Sequence, residues 1–369
     1  MRKCYVSAGC DLHEEDSTKL CLVGDSSSVH LRRWALHFSK SAEVLVLSDM
    51  PDEIPGVRVV HLFKRGAGLR NMLKIFRLRR LVREFDPDIV HGHYLTVGGL
   101  YAALTKGRRI VGSAWGSDIY MGPRRSAIER AILRYVLKRC DLVFAGTRDM
   151  AEQVHQYGYG GPIAVFRWGV DPEAFKRTAR HGASEFRILS VRPCSRIYNP
   201  MEVVKGFKMA LPKMDHAYLY MFDFGNMIEA VHRMVESDKE LVDRVRFLSR
   251  KPYEEMPSVY NSADLAVSIP DSDSAAASVL EAMACEVPVV ASDIPNMREW
   301  IEEGVNGYLT RMDAESLAQA FGRAYAARSS LPEMGRLSRL KVIDEKNQGT
   351  FESNLRVAER SYKDLLRKG

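Results

Sequence analysis

Short apolar runs rich in β-branched residues alternate along the chain with stretches of helical periodicity, and this alternation most constrains the fold. In the first half, the predicted strands are residues 19–23, 43–48, 57–61, 88–91, 110–113 and 142–145. After a polar stretch at 176–185 the pattern restarts, with predicted strands at 187–191, 218–223, 245–248, 265–269 and 288–292. Strands that are apolar throughout and separated by helices are typical of parallel sheets covered on both faces. The sequence therefore predicts an α/β protein with two doubly wound domains.

Charge is distributed unequally between the two halves of the 369 residues. Residues 1–180 contain 29 Lys and Arg against 19 Asp and Glu, whereas the whole chain carries a formal net charge of only +7. The predicted domains are residues 1–180 and 181–349, and a helix at about 350–369 is expected to pack back on the first domain. A basic first domain fits nucleic acid, an anionic membrane or an acidic substrate.

Composition excludes several classes of protein. No window approaches the roughly 18 uncharged apolar residues that a membrane helix needs, which excludes an integral membrane protein. Acidic residues lie where a signal peptide needs its apolar region: Asp11, Glu14, Glu15 and Asp16. Six cysteines are scattered with no Cys-x-x-Cys pair, which argues against a zinc site or a disulfide framework. We therefore expect a cytoplasmic protein.

The strongest chemical signal lies between residues 264 and 292. A predicted strand leads into the small-residue loop 270–278, and a helix follows at 279–284. Exposed backbone N–H groups and the positive end of the helix dipole attract anions at such a position, phosphate most readily. A tight turn in any parallel sheet would give the same local pattern.

The segment EAMACEVPVVAS, residues 281–292, resembles the donor-site signature of the retaining GT-B glycosyltransferases of family four, the glycosyl transferases group 1. That signature has two glutamates separated by seven residues. Here Asp273 stands at the first position and Glu281 at the second. Glu286 stands where the family usually has a glycine that ends the helix in left-handed geometry. The segment EWIEEGVNGYL, from Glu299, also resembles the family's continuation.

Other segments extend the resemblance into the first half. GDSSSVH, residues 24–30, resembles the loop that closes over the donor phosphates and contains Ser27. DPDIVHGHY and GSAWGSDIY resemble loops of the acceptor domain. In the second of these, Trp115 stands where many relatives have a histidine near the donor sugar, and Asp118 follows as a candidate polar contact. WGVDPEAF, residues 168–175, resembles the segment that precedes the interdomain linker.

The resemblance implies the GT-B fold, two Rossmann-like domains that face a central cleft, and a nucleotide-diphosphate sugar as donor. Glu281 would hold the ribose hydroxyls and Asp273 the sugar hydroxyls, while Arg192, Arg196 and the loop backbone would hold the diphosphate. Ile197 stands where relatives have a lysine, and Gly225 resembles a glycine that lets the backbone approach the nucleotide. The predicted catalytic residues are Asp273, Glu281, Arg192 and Asp118, and the predicted donor-binding residues are Arg192, Arg196, Gly225, Ser274, Ala275, Ala276, Ala277, Glu281 and Ser27. The resemblance implies no metal and no other cofactor.

The basic stretch 64–83 interleaves cations with apolar residues. As a helix it would suit an anionic bilayer at the inner face of a membrane and a lipid-linked acceptor, although a core helix with a solvated basic face gives the same pattern. His91 and His93 are expected to be structural rather than metal-binding.

Two other functions remain open at this stage. A GT-B protein could carry out other chemistry, such as epimerisation or phosphorolysis. It could also be a catalytically degenerate module that binds a nucleotide sugar or an anionic partner without transfer, since fold does not fix function. Nucleic-acid binding is not favoured, because the basic pI of about 9.0 comes with no recognisable nucleic-acid-binding motif.

Overall fold

The computed structural model describes residues 18–50, 52–62, 69–105, 109–178, 184–273 and 276–367, with the backbone alone at 69–73. Ser274 and Ala275 lie outside the described residues, as do Lys64 and Arg65 of the basic stretch.

A seven-stranded sheet is formed by the first series of strands, in the order β3-β2-β1-β4-β5-β6-β7. Its strands are β1 (Lys19–Val23), β2 (Glu43–Ser48), β3 (Arg58–His61), β4 (Ile89–His93), β5 (Arg109–Ser113), β6 (Leu142–Ala145) and β7 (Ile163–Val165). The pairs formed by β1 to β5 are parallel, with Leu20 opposite both Val44 and Ile89. The helices of this series are α1 (Val29–Phe38), α2 (Leu69–Phe85), α3 (Leu100–Leu104), α4 (Ser117–Tyr120), α5 (Gly122–Arg125), α6 (Ala127–Arg139) and α7 (Arg148–Gln156), and a π-helix spans Tyr94–Gly99.

A six-stranded parallel sheet is formed by the second series, in the order β10-β9-β8-β11-β12-β13. Its strands are β8 (Phe186–Pro193), β9 (Ala217–Phe222), β10 (Val245–Leu248), β11 (Leu265–Ser268), β12 (Val289–Ser292) and β13 (Gly307–Thr310). Its helices are α8 (Pro200–Ala210), α9 (Ile228–Glu236), α10 (Lys239–Arg244), α11 (Met256–Asn261), α12 (Ala277–Ala284), α13 (Pro295–Arg298), α14 (Ala314–Ala326), α15 (Leu331–Ile343) and α16 (Phe351–Arg367). Short 3-10 turns lie at Arg196–Tyr198, Leu211–Lys213, Tyr253–Glu255 and Glu345–Asn347.

The six-stranded sheet is buried because helices cover both of its faces. In the six-stranded sheet, one cluster of buried side chains packs β8 and β9 against α8 and α14, with Phe207 and Phe321 fully buried. A second cluster packs the other face against α12, with Leu280 and Met283 fully buried. Since both faces are covered, the strands have little need of alternating polar residues, which explains their continuous apolar runs.

The chain separates into two compact units. One takes in the chain up to Val143 together with Gly158–Pro162, and the other takes in Phe144–Tyr157 and Ile163–Arg367. Helix α16 belongs to the second unit, where Tyr362 packs on Phe144 of β6 and Asn354 accepts a hydrogen bond from the backbone N–H of Arg167. The domain limits of 1–180 and 181–349 stay a prediction.

Each sheet reverses its strand order at one point. In the first sheet the chain builds β2 and β3 on one side of β1 and then places β4 on the other side. In the second sheet β11 returns in the same way to the free side of β8. In open α/β sheets, ligands bind in the crevice beyond the carboxyl ends of the strands at such a reversal. The topology therefore indicates two candidate crevices, beyond β1 and β4 and beyond β8 and β11.

Candidate functional site

An arginine–carboxylate pair lies in the crevice beyond β8 and β11. Arg192, near the end of β8, donates from Nε to Ser268 Oγ at 3.0 Å, and its Nη2 pairs with Asp273 Oδ2 in the loop after β11. The two side chains are only 13% and 10% exposed. A second contact orients the guanidinium, because its carbon lies 5.1 Å from the centre of the Tyr198 ring. The arrangement fixes a cation at the strand-order reversal, where an anionic ligand is expected.

Asp273 also shapes the start of α12. Its Oδ1 accepts a hydrogen bond from the backbone N–H of Ala276 at 3.0 Å, and its carbonyl oxygen accepts one from Asn296 Nδ2 at 3.1 Å. Ala276, the N-cap residue, has a φ of 48°, in the left-handed region that is costly for a residue with a Cβ. These contacts fix Asp273 beside the first turn of α12.

The N-terminus of α12 provides hydrogen-bond donors for an anion. The first N–H groups of any helix have no partner inside the helix, and the helix dipole places partial positive charge there. Ala277 begins α12. Ser278 follows it, and its buried Oγ has no hydrogen-bond partner among the residues that the structure describes. These groups and Arg192 together form a site suited to phosphate.

Glu281 lies one turn further along α12 and is oriented by a buried tyrosine. Tyr260, fully buried on α11, donates from its hydroxyl to Glu281 Oε2 at 2.7 Å. Burial, and then the neighbouring Glu281 charge, raise the pKa of Tyr260 well above its usual value, while the Arg192 charge lowers it. Tyr260 is thus a permanent donor that holds the Glu281 carboxylate in one orientation.

Gly225 and Arg196 lie at the same carboxyl edge. Gly225 has a φ of +127°, and a Cβ there would collide with the backbone of Cys194. The need for glycine therefore comes from close packing within the protein. Arg196 is exposed, and its backbone N–H donates to Asn226 Oδ1 at 3.0 Å. The carbonyl oxygen of Ile197 accepts a hydrogen bond from the Asp271 N–H at 2.9 Å, which connects the loop after β8 to the loop after β11.

A cavity of about 830 Å³ lies within the first unit beyond β1 and β4. Its polar and aromatic lining includes Asp25, His93, Tyr94, Tyr101, Trp115 and Glu129. The predicted loop residue Ser27 lies in a local turn, because Asp25 Oδ1 accepts from Ser27 N–H at 2.9 Å and from Ser27 Oγ at 2.6 Å. Ser27 itself is exposed.

Asp118 holds the loop that carries Trp115. Its buried carboxylate accepts three backbone hydrogen bonds, from Leu95 at 2.8 Å, Trp115 at 3.0 Å and Gly116 at 2.8 Å. Burial raises the pKa of Asp118, and the backbone donors oppose that shift. In this geometry Asp118 positions Trp115, and its predicted contact with a sugar stays a prediction.

His93 is a candidate functional residue that the sequence reasoning assigned to a structural role. It is 2% exposed and lines the cavity, and neither ring nitrogen has a hydrogen-bond partner among the described residues. Burial, and secondarily His30, lower the pKa of His93 to about 3. His91 fits the structural role, because its Nε2 lies 2.7 Å from Ser113 Oγ. The sequence signal that could have distinguished the roles of the two histidines is the position of His93 at the carboxyl end of β4, where ligands bind in such sheets.

The part of the chain that the structure describes offers neither a metal-binding cluster nor a helix suited to spanning a membrane. No group of three or more His, Cys, Asp or Glu side chains in that part of the chain could hold a metal ion. None of the helices described there is long and apolar enough to cross a membrane.

Comparison with known proteins identifies the family. The family described as Glycosyl transferase 4-like matches residues 19–147, and the family described as Glycosyl transferases group 1 matches residues 176–339. Together they cover more than three quarters of the chain. The chain belongs to the GT4-like glycosyltransferases. The second match contains Arg192, Asp273 and Glu281.

Relatives and solved structures agree with this assignment. This glycosyltransferase is 23% identical over 313 residues to N-acetyl-alpha-D-glucosaminyl L-malate synthase of Bacillus anthracis, covering 79% of this chain and 78% of the relative. It is 27% identical over 290 residues to a GDP-mannose-dependent phosphatidylinositol monomannoside mannosyltransferase of Mycolicibacterium smegmatis, covering 73% and 75%.

The solved structures show the fold. The sucrose-phosphate synthase of Thermosynechococcus elongatus superposes with a TM-score of 0.77 at 15% identity, over 95% of this chain and 100% of that one. The Anabaena protein HepE in complex with UDP and glucose superposes with a TM-score of 0.75 at 16% identity, over 94% and 100%. The glycosyltransferase therefore has the GT-B fold that the sequence predicted.

Proposed function

We propose that this glycosyltransferase moves a sugar from a nucleotide-diphosphate sugar to an acceptor hydroxyl, with retention of the anomeric configuration. The observation that carries the proposal is the placement of Arg192 beside the N-terminus of α12, at the strand-order reversal of the six-stranded sheet. A solved structure supports a nucleotide-sugar donor, because the Anabaena protein HepE was crystallised in complex with UDP-glucose.

The diphosphate binds between Arg192 and the first turn of α12. Its binding replaces the pair between Arg192 and Asp273, and the N–H group of Ala277 and the Ser278 hydroxyl supply further donors. Negative charge grows on the leaving phosphate oxygen in the transition state. Donors fixed in advance around that oxygen therefore stabilise the transition state more than they stabilise the bound substrate.

Glu281 and Asp273 bind the ribose and the transferred sugar of the donor. Glu281 accepts hydrogen bonds from the ribose hydroxyls, and Tyr260 holds its carboxylate in place for that purpose. Asp273, released from Arg192, accepts hydrogen bonds from hydroxyls of the transferred sugar. An aspartate reaches about one methylene less far than the glutamate found in relatives, so the sugar lies closer to the loop backbone.

The acceptor binds in the first unit, in the cavity lined by His93 and Trp115. Its hydroxyl attacks from the face that the diphosphate leaves, which retains configuration. His93, neutral because burial lowers its pKa to about 3, can exchange a hydrogen bond with an acceptor hydroxyl at either ring nitrogen. The acceptor is a glycan or a lipid-linked sugar, and the enzyme works in the cytoplasm at the inner face of the membrane without a metal ion.

Product analysis tests this proposal. Purified protein is incubated with UDP-, GDP-, ADP- and dTDP-sugars and a panel of sugar and lipid-linked acceptors, with and without a chelator, and the product anomer is read by NMR. The proposal expects a glycoside with the donor's anomeric configuration, formed equally with the chelator. An inverted product or a chelator-sensitive reaction contradicts the mechanism. Nucleotide-sugar binding without transfer to any acceptor favours the degenerate module instead.

A further inference from the structure

Helix α6 of the first unit carries apolar side chains on two opposite sides. Its inner side is fully buried, through Leu133, Val136 and Leu137. On the outer side, Ile128 is 74% exposed and Tyr135 is 43% exposed. Ala131, also exposed, and Ile132, half-buried, fall between them at the i+3 and i+4 positions of the same helix face. We call these four residues, 128, 131, 132 and 135, the outer stripe.

Cations surround the outer stripe. The segment 121–139 contains six Lys and Arg residues and one acidic residue, Glu129. Arg130 is used within the fold, because its Nε donates to the Pro123 carbonyl at 2.9 Å. The other five cations are exposed: Arg124 and Arg125 on α5, and Arg134, Lys138 and Arg139 on α6. An exposed apolar face flanked by Lys and Arg is the pattern of a helix that lies in a membrane interface.

Helix α2 contains most of the basic stretch that the sequence suggested for membrane binding. Its described side chains do not form an exposed apolar face like that of α6. Leu78, Val82 and Phe85 are buried, and Phe76 is the large apolar side chain that α2 leaves exposed, at 62%. Arg80 on its outer side pairs with Glu84 at 2.7 Å. The described part of α2 therefore resembles a core helix with a charged, solvated face more than a lipid-binding surface.

We propose that the outer stripe and its five cations bind an anionic lipid bilayer, with α5 and α6 parallel to the membrane surface. Ile128, Ile132 and Tyr135 enter the interface, while the arginine and lysine side chains reach the lipid phosphates. Each such cation is attracted to an anionic leaflet, and the attractions of neighbouring cations add. The inference rests on the proposed function in one respect, the lipid-linked acceptor that such a surface would serve.

The position of α6 beside the first-unit cavity supports this role. Glu129, next to Ile128 in the chain, lines that cavity, and it packs so closely on α5 that a Cβ at Gly122 would collide with its carboxylate. The lipid-binding surface and the acceptor cavity thus share one helix. A lipid-linked acceptor held in the bilayer would present its polar end near the cavity, which favours this reaction over one with a freely diffusing acceptor.

Charge and side-chain type favour a bilayer over other occupants. A second copy of the chain would bring five cations against five cations across a symmetric interface, which is repulsive. Nucleic-acid surfaces rely on polar groups and stacking aromatics, whereas the outer stripe is three-quarters aliphatic.

Vesicle co-sedimentation of the full chain tests the proposal. Phosphatidylcholine vesicles with and without phosphatidylglycerol are compared for the unchanged protein, for Ile128→Ser with Tyr135→Ser, and for Phe76→Ser as the matched control on α2. Each large apolar side chain that no longer enters the interface weakens binding, so the double variant should bind anionic vesicles at least tenfold more weakly. Phe76→Ser should bind as the unchanged protein does, and melting curves should show all three proteins folded.

Several outcomes overturn the proposal. One is that the unchanged protein shows no preference for anionic vesicles, and another is that the double variant binds them as strongly as the unchanged protein does. The others are that Phe76→Ser alone loses binding, or that the unchanged protein is a dimer and the double variant a monomer. Nucleotide binding, measured on the same samples, separates this proposal from the proposed function. A double variant that binds nucleotide and vesicles normally refutes the surface alone. Vesicle binding that depends on the outer stripe, in a protein that binds no nucleotide sugar, refutes the proposed function alone.

Discussion

At the scale of single residues, the orientation of the Glu281 carboxylate depends on its hydrogen bond with Tyr260. The buried Tyr260 hydroxyl donates to its carboxylate, so a substitution at Glu281 acts both on the ligand and on the fold. Glu281→Gln keeps an oxygen for Tyr260 but removes the charge offered to the ribose hydroxyls. A hydrogen bond to a charged group is worth about 1.5–3 kcal/mol, so we expect nucleotide affinity to fall about 10- to 100-fold with little change in melting temperature.

Glu281→Ala separates the two roles. It also leaves the buried Tyr260 hydroxyl without its acceptor, which should cost a further 1–3 kcal/mol, roughly, of unfolding free energy. Calorimetric titration with nucleotide and chemical denaturation of both variants measure the two effects. Unchanged nucleotide affinity in Glu281→Gln contradicts the ribose assignment.

Arg192 is expected to act mainly in the transition state. Arg192→Lys keeps one positive charge but loses the planar fork that contacts Ser268 and a phosphate together. Removal of a preorganised donor from a developing oxyanion costs about 100-fold in kcat or more, and we expect that loss here with a smaller change in KM. Arg187→Lys is the matched control, because Arg187 lies at the opposite end of β8 and pairs with Glu185. Equal losses in both variants would show that Arg192 serves only the fold.

At the scale of the element, the end of α12 departs from its relatives at Glu286. This residue has a φ of 58°, the left-handed geometry that the usual glycine adopts without strain. Relief of that strain outweighs the greater flexibility of glycine in the unfolded chain, so Glu286→Gly should raise the free energy of unfolding by about 0.5–1 kcal/mol. Glu286→Ala keeps a Cβ and should give no gain. Denaturant midpoints of the unchanged protein and of both variants measure these changes. Equal gains in stability for both variants would show that the gain comes from removing the Glu286 charge and not from relief of backbone strain.

The strands were largely predictable from the sequence. The eleven predicted strands all exist, and their ends agree with the structure within two residues. β7 and β13 were missed: β7 has only three residues, and β13 begins at Gly307, so neither forms a long apolar run. The π-helix at Tyr94–Gly99 was also missed, because its hydrogen-bonding pattern leaves no periodicity over six residues.

For the candidate site, the sequence predicted which residues lie together where a motif joins them, but it did not predict the partners that packing brings to them. Arg192, Asp273, Ala276, Ala277 and Glu281 do meet around one helix N-terminus. The partners of those residues, such as Tyr260, come from elements distant in sequence, and no spacing rule indicates them. The same limit applies to Asp118. Its three backbone hydrogen bonds depend on how the loop folds, and the sequence does not indicate them.

At the scale of the whole molecule, buried histidines should make stability depend on pH. Burial lowers the pKa of His91 well below its usual value and that of His93 to about 3, and burial together with Arg33 lowers that of His30 to about 4. In the unfolded chain these groups gain protons below a pH of about 6.5, whereas in the folded protein they do not. Stability is therefore full above about pH 6.5 and falls as the pH drops towards 4.

Each such histidine should cost about 1.4 kcal/mol of unfolding free energy between pH 7.5 and pH 5.5. Denaturation of the unchanged protein and of His93→Gln at the two pH values measures this cost. The variant should lose less stability on acidification than the unchanged protein. Asp118, whose pKa burial raises, contributes with the opposite sign but equally in both proteins. Identical losses in the two proteins would contradict the buried neutral state of His93.

The most direct test of the account is nucleotide binding by the intact protein. Calorimetric titration with UDP, GDP, ADP and dTDP is carried out on the unchanged protein, Arg192→Lys, Glu281→Gln and the control Arg187→Lys, with a chelator present. We expect one nucleotide to bind the unchanged protein and Arg187→Lys equally, and to bind the other two variants at least tenfold more weakly. Binding of no nucleotide, or equal binding by all four proteins, would contradict a donor site at the N-terminus of α12.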